Sequence, residues 1–306
     1  MTQTALLFPG QGSQSVGMLA ELATSYPQIE DTFKQASDVL GYDVWAMVQN
    51  GPEETLNDTR YTQPALLTAS VALYRVAVAN GLQNVTVMAG HSLGEYSALV
   101  CAGVIDFRDA VRLVAIRGEA MQNAVAPGVG AMAAVIGLDD DKIAEICQQQ
   151  AGDEVVTPVN YNSPGQVVIA GHKDAVARAA EALKEAGAKR VLPLPVSVPS
   201  HCELMKPAAD QLRSTLKDVV FNTPSIAVIN NVDVSVNNDA EAVKDALVRQ
   251  LYYPVRWTET IERVAAMPIE QAFEVGPGKV LTGLNKRITK NFSCIALNSV
   301  DAINAL

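Results

Sequence analysis

VTVMAGHSLGEYSALVCAG, residues 85–103, is the stretch of sequence that decides the fold. A short apolar run passes through Gly90-His91-Ser92-Leu93-Gly94 and continues at once into a helical pattern. The segment TALLF, residues 4–8, is likewise apolar and is followed by a turn that contains glycine. Runs of this kind, each followed by a turn and a helix, are typical of buried parallel strands with crossover helices. The sequence therefore predicts an α/β protein built on a parallel sheet.

A different pattern occupies residues 126–197. Its segments follow the order β-α-β-β-α-β, which is the ferredoxin-like unit. They are GAMAAVIG (130–137), DDDKIAEICQQQ (139–150), VVTPVNY (155–161), QVVIAG (166–171) after the turn NSPG (162–165), KDAVARAAEALKEAGA (173–188) and KRVLPLPV (189–196). We therefore expect a large hydrolase-like α/β domain with a parallel sheet core, residues 1–125 and 198–306, and an inserted ferredoxin-like small subdomain, residues 126–197. SIAVINNV (225–232) and QAFEVGP (271–277) are expected to add strands to the large domain.

Composition and charge narrow the class of function. The 306 residues are 49% hydrophobic, which is enough to bury a substantial core. With 33 acidic and 23 basic residues the net charge is -10, and this field would repel a nucleic acid. No apolar run reaches the roughly 18 residues of a membrane-spanning helix, and the N-terminus lacks the basic start of a signal peptide. The four cysteines form no CxxC pair, so we expect free thiols in a reducing compartment. With the charge and the lack of a long apolar run, this predicts a soluble, cytoplasmic protein with no nucleic-acid or membrane partner. We also expect it to be a monomer.

Ser92 stands at the corner between the predicted strand and the predicted helix, in the pattern G-x-S-x-G. This pattern is typical of a nucleophile elbow, where glycines permit a turn too tight for Cβ atoms and one serine hydroxyl is held in the open. The backbone N–H of Leu93 would then point toward an oxyanion formed at the serine. An ordinary strand–helix turn can have the same five residues, so the pattern alone leaves this alternative open.

A serine nucleophile needs a base, and the chain has three histidines. His91 adjoins the serine, so its side chain should diverge from the hydroxyl and pack behind the turn. His172 opens a predicted helix and is expected to be a cap or a surface residue. His201, in PVSVPSHCELMKP, lies where the chain leaves the small subdomain, and a cleft forms at such a junction. Elimination therefore favours a role for His201 as the base over a structural role. Cys202 is set aside as a rival nucleophile, because the side chains of adjacent residues diverge and a His201–Cys202 pair is not expected.

One predicted helix carries an arginine on its apolar face. In DAVRLVAIRGEAMQN, residues 109–123, the stripe with helical spacing is apolar except for Arg117, while Arg112 and Glu119 fall on the other side. An inward guanidinium is costly unless an anion meets it, and its planar fork fits a carboxylate through two parallel hydrogen bonds. The partner is either an internal Asp or Glu or the carboxylate of a substrate. A side chain that extends to solvent is a third possibility.

Seven stretches in chain order resemble the malonyl-CoA:acyl carrier protein transacylases of fatty acid synthesis and the related acyltransferase domains of polyketide synthases. They are LLFPGQGSQ (6–14), YTQPAL (61–66), GHSLGEYSAL (90–99), RG (117–118), PVSVPSH (195–201), QLYYPVRW (250–257) and EVGPGK (274–279). Because they span nearly the whole chain, the resemblance is specific. It is closer to the stand-alone bacterial enzymes than to an excised synthase domain.

This resemblance implies a reaction and its principal residues. Ser92 would be the acylated nucleophile, His201 its base, and Arg117 the residue that binds the malonyl carboxylate. The implied reaction is ping-pong transfer of malonyl from malonyl-CoA to the phosphopantetheine thiol of acyl carrier protein. No metal or redox cofactor is implied.

The resemblance also implies supporting residues. Gln11 would support the oxyanion site together with the Leu93 N–H. The backbone carbonyl of Gln250 would orient the histidine where other serine enzymes use an aspartate. Gln63 would lie near the pocket.

Two other functions remain open. A serine esterase or thioesterase would use the same elbow, although it normally adds an acid and often an HGGG oxyanion loop, which the sequence lacks. A non-catalytic acyl-binding module would not need an elbow. If the partner is an acidic carrier protein, the candidate docking residues form two basic clusters, which are Lys189 and Arg190, and Lys286, Arg287 and Lys290.

Overall fold

The computed structural model describes residues 3–196 and 198–306, and within these ranges the chain forms nine strands and fourteen α-helices. The strands are β1 (Thr4–Phe8), β2 (Val85–Gly90), β3 (Gly130–Ile136), β4 (Val156–Ser163), β5 (Gln166–His172), β6 (Arg190–Pro193), β7 (Ala227–Ile229), β8 (Gln271–Glu274) and β9 (Ser293–Ala296). The helices are α1 (Ala20–Ser25), α2 (Gln28–Leu40), α3 (Val44–Asn50), α4 (Glu53–Asn57), α5 (Thr59–Ala79), α6 (Leu93–Cys101), α7 (Phe107–Asn123), α8 (Asp140–Ala151), α9 (Lys173–Glu185), α10 (Lys206–Leu216), α11 (Ala240–Gln250), α12 (Trp257–Ala265), α13 (Val280–Ile288) and α14 (Val300–Asn304). No helix of the described ranges combines the length and the apolar composition needed to cross a bilayer.

Five strands form a parallel sheet in the order β7-β2-β1-β8-β9. The central strand β1 is buried along its whole length. Leu6 and Phe8 face one apolar layer, which includes α2, α5, α6, α7 and α10, while Ala5 and Leu7 face another with α12 and α13. A strand covered on both faces is apolar throughout, and this is why the composition of TALLF predicts a central strand.

The remaining strands form an antiparallel sheet in the order β4-β5-β3-β6, with α8 and α9 packed against one face. The chain order β3-α8-β4-β5-α9-β6 is that of a ferredoxin-like unit. The predicted fold class, a parallel α/β unit with a ferredoxin-like insertion, is therefore confirmed. The predicted domain bounds, 1–125 with 198–306 and 126–197, stay a prediction, and residues 1, 2 and 197 lie outside the described residues.

Strand β4 joins the antiparallel sheet to the large unit. The Tyr161 N–H donates to the Val255 carbonyl at 3.0 Å, and the Val255 N–H donates to the Val159 carbonyl at 2.8 Å. These bonds hold the edge strand of the antiparallel sheet against the segment that precedes α12. A cleft between the two units is lined from both sides, by Ser92 of the large unit and by Asn160 of β4 among others.

Several predicted boundaries differ from the structure. The expected strand 189–196 is reduced to β6, because prolines at 193 and 195 lack the N–H that a sheet requires. The expected strand 225–232 is reduced to β7, because the N–H groups of Asn230 and Asn231 bond to Ser235 and to the Glu95 side chain instead. The turn predicted at 162–165 has only two residues, since β4 continues to residue 163. Strand β9 is not among the predicted strands.

Candidate active site

Ser92 is held at a sharp corner between β2 and α6. Its backbone has φ 51° and ψ -109°, a region that residues with a side chain rarely adopt. A Cβ atom at Gly90 would overlap the backbone of Gly94, and one at Gly94 would overlap the carbonyl of Phe8. Glycine is therefore required at both positions by backbone packed directly against backbone. The Ser92 N–H donates to Asn231 Oδ1 at 2.8 Å, which fixes the corner from behind.

His201 lies between β6 and α10, and its imidazole faces Ser92. Nε2 is 2.8 Å from Ser92 Oγ, and Nδ1 is 2.6 Å from the carbonyl oxygen of Gln250. Because a carbonyl only accepts, Nδ1 carries the hydrogen and Nε2 presents its lone pair to the hydroxyl. Burial, together with the positive charge of Arg117, lowers the pKa of His201 to about 3. The ring is therefore neutral at pH 7 and oriented to take the hydroxyl proton.

Arg117 reaches the same point from α7 and is 1% exposed, in agreement with the apolar stripe on which the sequence places it. Nη1 donates to Gln63 Oε1 at 2.8 Å, and Nη2 donates to Gln250 Oε1 at 2.9 Å and to Ser92 Oγ at 3.3 Å. These partners are two neutral amides and a hydroxyl rather than an acid. The Nε–H has no hydrogen-bond acceptor among the described residues. The guanidinium thus has no internal acid as a direct partner, and its charge remains available to a ligand.

Gln11 and Leu93 lie beside the serine. Leu93 is the first residue of α6, so its N–H has no acceptor within the helix. Gln11 follows β1, and its Nε2 is 3.4 Å from Thr59 Oγ1. With Ser92 they line a cavity of about 110 Å³, and a wider groove of about 570 Å³ shares Gln11 and Thr59 with it. An oxyanion at Ser92 would have the Leu93 N–H and the Gln11 amide next to it.

Gln250 contributes more than the backbone carbonyl that the resemblance implies. Its side chain accepts from Arg117, and its Nε2 donates to Glu95 Oε2 at 2.8 Å and to the Ser92 carbonyl at 3.0 Å. Asn231 donates its N–H to the same Glu95 oxygen at 3.0 Å. Gln250 therefore contacts all three residues that the resemblance makes central, through the main-chain carbonyl of Ser92 and the side chains of His201 and Arg117.

Glu95 and Asn231 are site residues that the sequence analysis did not identify. Glu95 lies in the helical part of GHSLGEYSALV and Asn231 lies near the end of SIAVINNV, and both side chains are buried. A polar residue inside a helix or strand that is predicted to be buried is the signal that could have identified them, because such a group needs an internal partner.

The two other histidines lie outside the Ser92–His201 pair. His91 turns away from the serine, as expected, and its Nε2 is 2.8 Å from Asn162 Oδ1 while its ring is 5.6 Å from that of Trp257. His172 precedes α9, but its side chain makes no capping bond. Its Nδ1 accepts from the Val155 N–H at 2.9 Å instead. In the described part of the chain no three His, Cys, Asp or Glu side chains are grouped as a metal site.

Fold and geometry together define an α/β protein with a serine at a nucleophile elbow, a neutral histidine beside it and a buried arginine facing the same cavity. The chain belongs to the acyl transferase domain family, whose model matches residues 5–296. It is 64% identical over 305 residues to the malonyl CoA-acyl carrier protein transacylase of Escherichia coli strain K12, covering 100% of this chain and 99% of that one. It is 40% identical to the protein of the same name from Staphylococcus aureus strain COL, covering 99% of this chain and 98% of that one.

Solved structures agree with the sequence relatives. An acyl carrier protein S-malonyltransferase from Vibrio cholerae is 62% identical with a TM-score of 0.97, and the match covers 99% of each chain. A malonyl-transacylase in complex with its type II PKS acyl-carrier protein is 59% identical with a TM-score of 0.97, covering 99% of this chain and 98% of that one. The family resemblance carried by the seven sequence stretches is confirmed.

Proposed function

We propose that this chain transfers the malonyl group of malonyl-CoA to the phosphopantetheine thiol of acyl carrier protein, through a malonyl ester of Ser92. The observation that carries the proposal is the position of Ser92 Oγ, 2.8 Å from Nε2 of the neutral His201 and 3.3 Å from Nη2 of Arg117. A nucleophile beside a cation fits an acyl thioester that carries a carboxylate of its own. The names and the high identity of the relatives support the same reaction.

In the first half-reaction, the Ser92 oxygen attacks the thioester carbonyl while its proton passes to His201 Nε2. The carbonyl oxygen becomes an oxyanion, which the Leu93 N–H and the Gln11 amide stabilise. When the carbon–sulfur bond breaks, the imidazolium returns the proton to the leaving CoA thiolate. The Nδ1–H bond to Gln250 keeps the ring in one orientation throughout. The product is a malonyl ester of the serine and free CoA.

The second half-reaction reverses these steps with a different thiol. His201 removes the proton of the phosphopantetheine thiol, and the sulfur attacks the ester carbonyl. The oxyanion forms in the same place, and the proton passes from the imidazolium to Ser92 Oγ as the ester bond breaks. The His201 imidazole therefore acts as base and acid in both half-reactions. Because CoA leaves before the second thiol reacts, the kinetics are ping-pong.

Arg117 binds the malonyl carboxylate in this scheme. Its side chain lines the cavity beside Ser92, and its Nη2 lies 3.3 Å from the serine oxygen. A carboxylate that reached the guanidinium from this cavity would form charge-assisted hydrogen bonds to a buried cation, which is a strong arrangement. Gln63 and Gln250 hold the guanidinium in position without neutralising it.

The scheme uses no metal or redox cofactor, because a hydroxyl, an imidazole and a guanidinium supply every group that the transfer needs. We further propose that the protein acts in the cytoplasm as a monomer, with malonyl-CoA and acyl carrier protein as its partners and neither nucleic acid nor membrane among them.

The two basic clusters are candidates for a single docking surface for the acidic carrier protein. Arg190 of β6 and Gln166 of β5 are both paired with Ile136 of β3, so they occupy neighbouring positions across the antiparallel sheet. Arg287 of α13 donates to Gln166 Oε1 at 2.7 Å. The second cluster therefore contacts the same antiparallel sheet that carries the first, and its positive charge complements an acidic partner.

A chase experiment tests the proposed reaction. The protein is incubated with malonyl-CoA, separated from it by rapid desalting, and divided between buffer and phosphopantetheinylated acyl carrier protein, while intact mass is followed in each portion. We expect a mass gain of one malonyl group that persists in buffer and moves to the carrier protein when that is added. Rapid loss to free malonate in buffer would indicate a thioesterase, and no mass gain would indicate an acyl-binding module.

A further inference from the structure

Glu95 is a buried carboxylate that the transfer steps do not use. It lies in the first turn of α6 with 1% of its surface exposed. One oxygen, Oε2, accepts both the Asn231 N–H at 3.0 Å and the Gln250 Nε2 at 2.8 Å. No hydrogen bond joins it to Ser92 Oγ or to the His201 ring in the described structure. A carboxyl group that is buried in a helix at this cost is expected to have a structural or functional role.

The carboxylate, together with the Ser92 carbonyl that accepts from the same Nε2 at 3.0 Å, sets how the Gln250 amide is turned. An acceptor on Glu95 requires the NH₂ end of the amide to face it, so the oxygen end must face the other way. That oxygen, Oε1, accepts from Arg117 Nη2 at 2.9 Å. If the amide were reversed, its NH₂ group would oppose the guanidinium and an oxygen would oppose the carboxylate. The Glu95 side chain therefore keeps an acceptor in front of Arg117.

The same arrangement keeps the charge of Arg117 available. The guanidinium donates to two amide oxygens, of Gln63 and Gln250, and the Glu95 carboxyl group lies beyond Gln250. A direct ion pair would occupy the fork that a substrate carboxylate needs. An intervening amide fixes the position of the guanidinium while leaving its charge unpaired.

The protonation state of Glu95 does not alter this arrangement. Burial raises its pKa to about 7, against the lowering effects of the Asn231 and Gln250 hydrogen bonds and of the Arg117 charge, and Asp233 adds a small raising effect. A carboxylic acid with its proton on the other oxygen still accepts at Oε2. A neutral amide oxygen can accept there as well.

We propose that Glu95 is a positioning residue, which acts through the Gln250 side chain to hold Arg117 ready for the carboxylate of the incoming acyl group. This inference rests on the proposed malonyl transfer. Of the two residues that donate to Glu95, only Gln250 reaches Arg117 with its side chain, and the main chain of Gln250, which orients His201, is held at the end of α11. Loss of Glu95 should therefore weaken binding of a charged acyl group more than that of a neutral one.

The test compares malonyl-CoA with acetyl-CoA as acyl donors for the full-length protein and its Glu95→Gln, Glu95→Asp and Glu95→Ala variants. Glu95→Gln keeps an acceptor at the right length, so we expect both KM values to stay within about threefold of wild type. In Glu95→Asp, whose carboxyl group is one methylene short, and in Glu95→Ala, we expect the KM for malonyl-CoA to rise about tenfold or more while that for acetyl-CoA changes less than about threefold. If Glu95→Ala does not fold, the Asp variant makes the same comparison.

Glu274 provides the matched control. It is also a buried carboxylate, but it holds the start of α13 by accepting the N–H groups of Leu281 and Thr282 at 3.0 and 2.7 Å. Glu274→Ala should lower the free energy of unfolding without changing the ratio of malonyl to acetyl KM. An unchanged ratio in folded Glu95→Asp, or a Glu95→Gln variant as impaired as Glu95→Ala, would overturn the inference. Failure of the wild type to form any malonyl adduct would instead overturn the proposed function.

Discussion

Ser92 and His201 both hold backbone conformations with positive φ, 51° and 65°. Each such conformation costs on the order of 1–3 kcal/mol in a residue that has a Cβ atom. Hydrogen bonds at the same residues offset this cost, from the Ser92 N–H to Asn231 and from the His201 N–H to the Leu251 carbonyl at 3.0 Å. The strained backbone at these two residues, held by these hydrogen bonds, sets the directions of the Ser92 hydroxyl and the His201 imidazole.

The pH dependence of acylation reports on the His201 ring. Its pKa is lowered to about 3, so the neutral base should persist well below the ordinary histidine range. We expect kcat/KM for malonyl-CoA, measured between pH 5 and pH 9 in buffers of constant ionic strength, to show no acid limb near pH 6.5. A limb with an apparent pKa of about 6.5 would mean that the ring is exposed to water in the working enzyme.

The same shift has a consequence for stability. The folded protein binds the His201 proton only below about pH 3, whereas the unfolded chain binds it below about 6.5. The contribution of this residue to stability is therefore complete above pH 6.5 and is lost as the pH falls from 6.5 toward 3.

Arg117→Ala separates a role in substrate binding from a structural role. The variant removes the cation that faces the acyl group, while Ser92 and His201, which are 2.8 Å apart in the wild type, are both retained. We expect kcat/KM for malonyl-CoA to fall at least about a hundredfold and that for acetyl-CoA to fall far less, measured in the same chase assay. Equal losses with both donors would return Arg117 to a structural role.

The sequence identifies those site residues that are marked by a pattern within a single strand or helix. The glycines around Ser92 and the stripe around Arg117 follow from spacing along one strand or one helix, so both are visible in the sequence. The link between Glu95, Gln250 and Asn231 joins positions up to 155 residues apart, and no spacing rule connects them. Only the folded chain shows which of its polar residues share a hydrogen bond.

Among the secondary-structure elements, those with a strong local pattern were the easiest to predict. β1, β2 and α7 have sequence patterns that match their surroundings, and Asp106 caps α7 by accepting the Arg108 N–H at 2.8 Å. β9, which was not predicted, has four residues, and this is too short for a periodic pattern to be recognised. Its place is set by pairing with β8.

The corner between β2 and α6 can be tested with one methyl group. A Cβ atom at Gly94 would overlap the Phe8 carbonyl of the central strand. We expect Gly94→Ala to lower the free energy of unfolding by roughly 3 kcal/mol or to prevent folding, measured by urea denaturation.

Gly283 is the matched control for this substitution. It lies within α13, and a Cβ atom added there would have no neighbour within 4 Å beyond its own helix, so alanine meets open space. Gly283→Ala should be neutral or stabilising by up to about 1 kcal/mol, because alanine favours the helix. Equal effects at the two positions would contradict the close approach inferred at the elbow.

For the molecule as a whole, the site depends on two units that meet along β4. The serine and arginine come from the large unit, while Asn160 and Met132 of the antiparallel sheet line the same cavity. The sequence predicts both units and the order of their elements, yet the contact through Val255 has no signature in the sequence. The net charge of -10 also says little about where a partner binds, since local clusters decide that.

Charge reversal tests the proposed carrier-protein surface. Lys286→Glu combined with Arg287→Glu should raise the KM for acyl carrier protein about tenfold at low salt, with little change in the KM for malonyl-CoA. Lys34→Glu with Arg108→Glu, two exposed cations on α2 and α7, gives the same change in net charge and serves as the control. Equal effects of the two double variants would remove the second basic cluster from the docking surface.

Peptide mapping of the acylated protein bears on all of these proposals. The wild type is mixed with malonyl-CoA, quenched in acid within the first turnovers, digested and examined by tandem mass spectrometry. We predict one malonyl group on Ser92, which disappears when acyl carrier protein is added before the quench and is absent from the Ser92→Ala variant. A malonyl group on any other residue, or transfer to carrier protein by the Ser92→Ala variant at the wild-type rate, would contradict the assignment of Ser92 as the nucleophile.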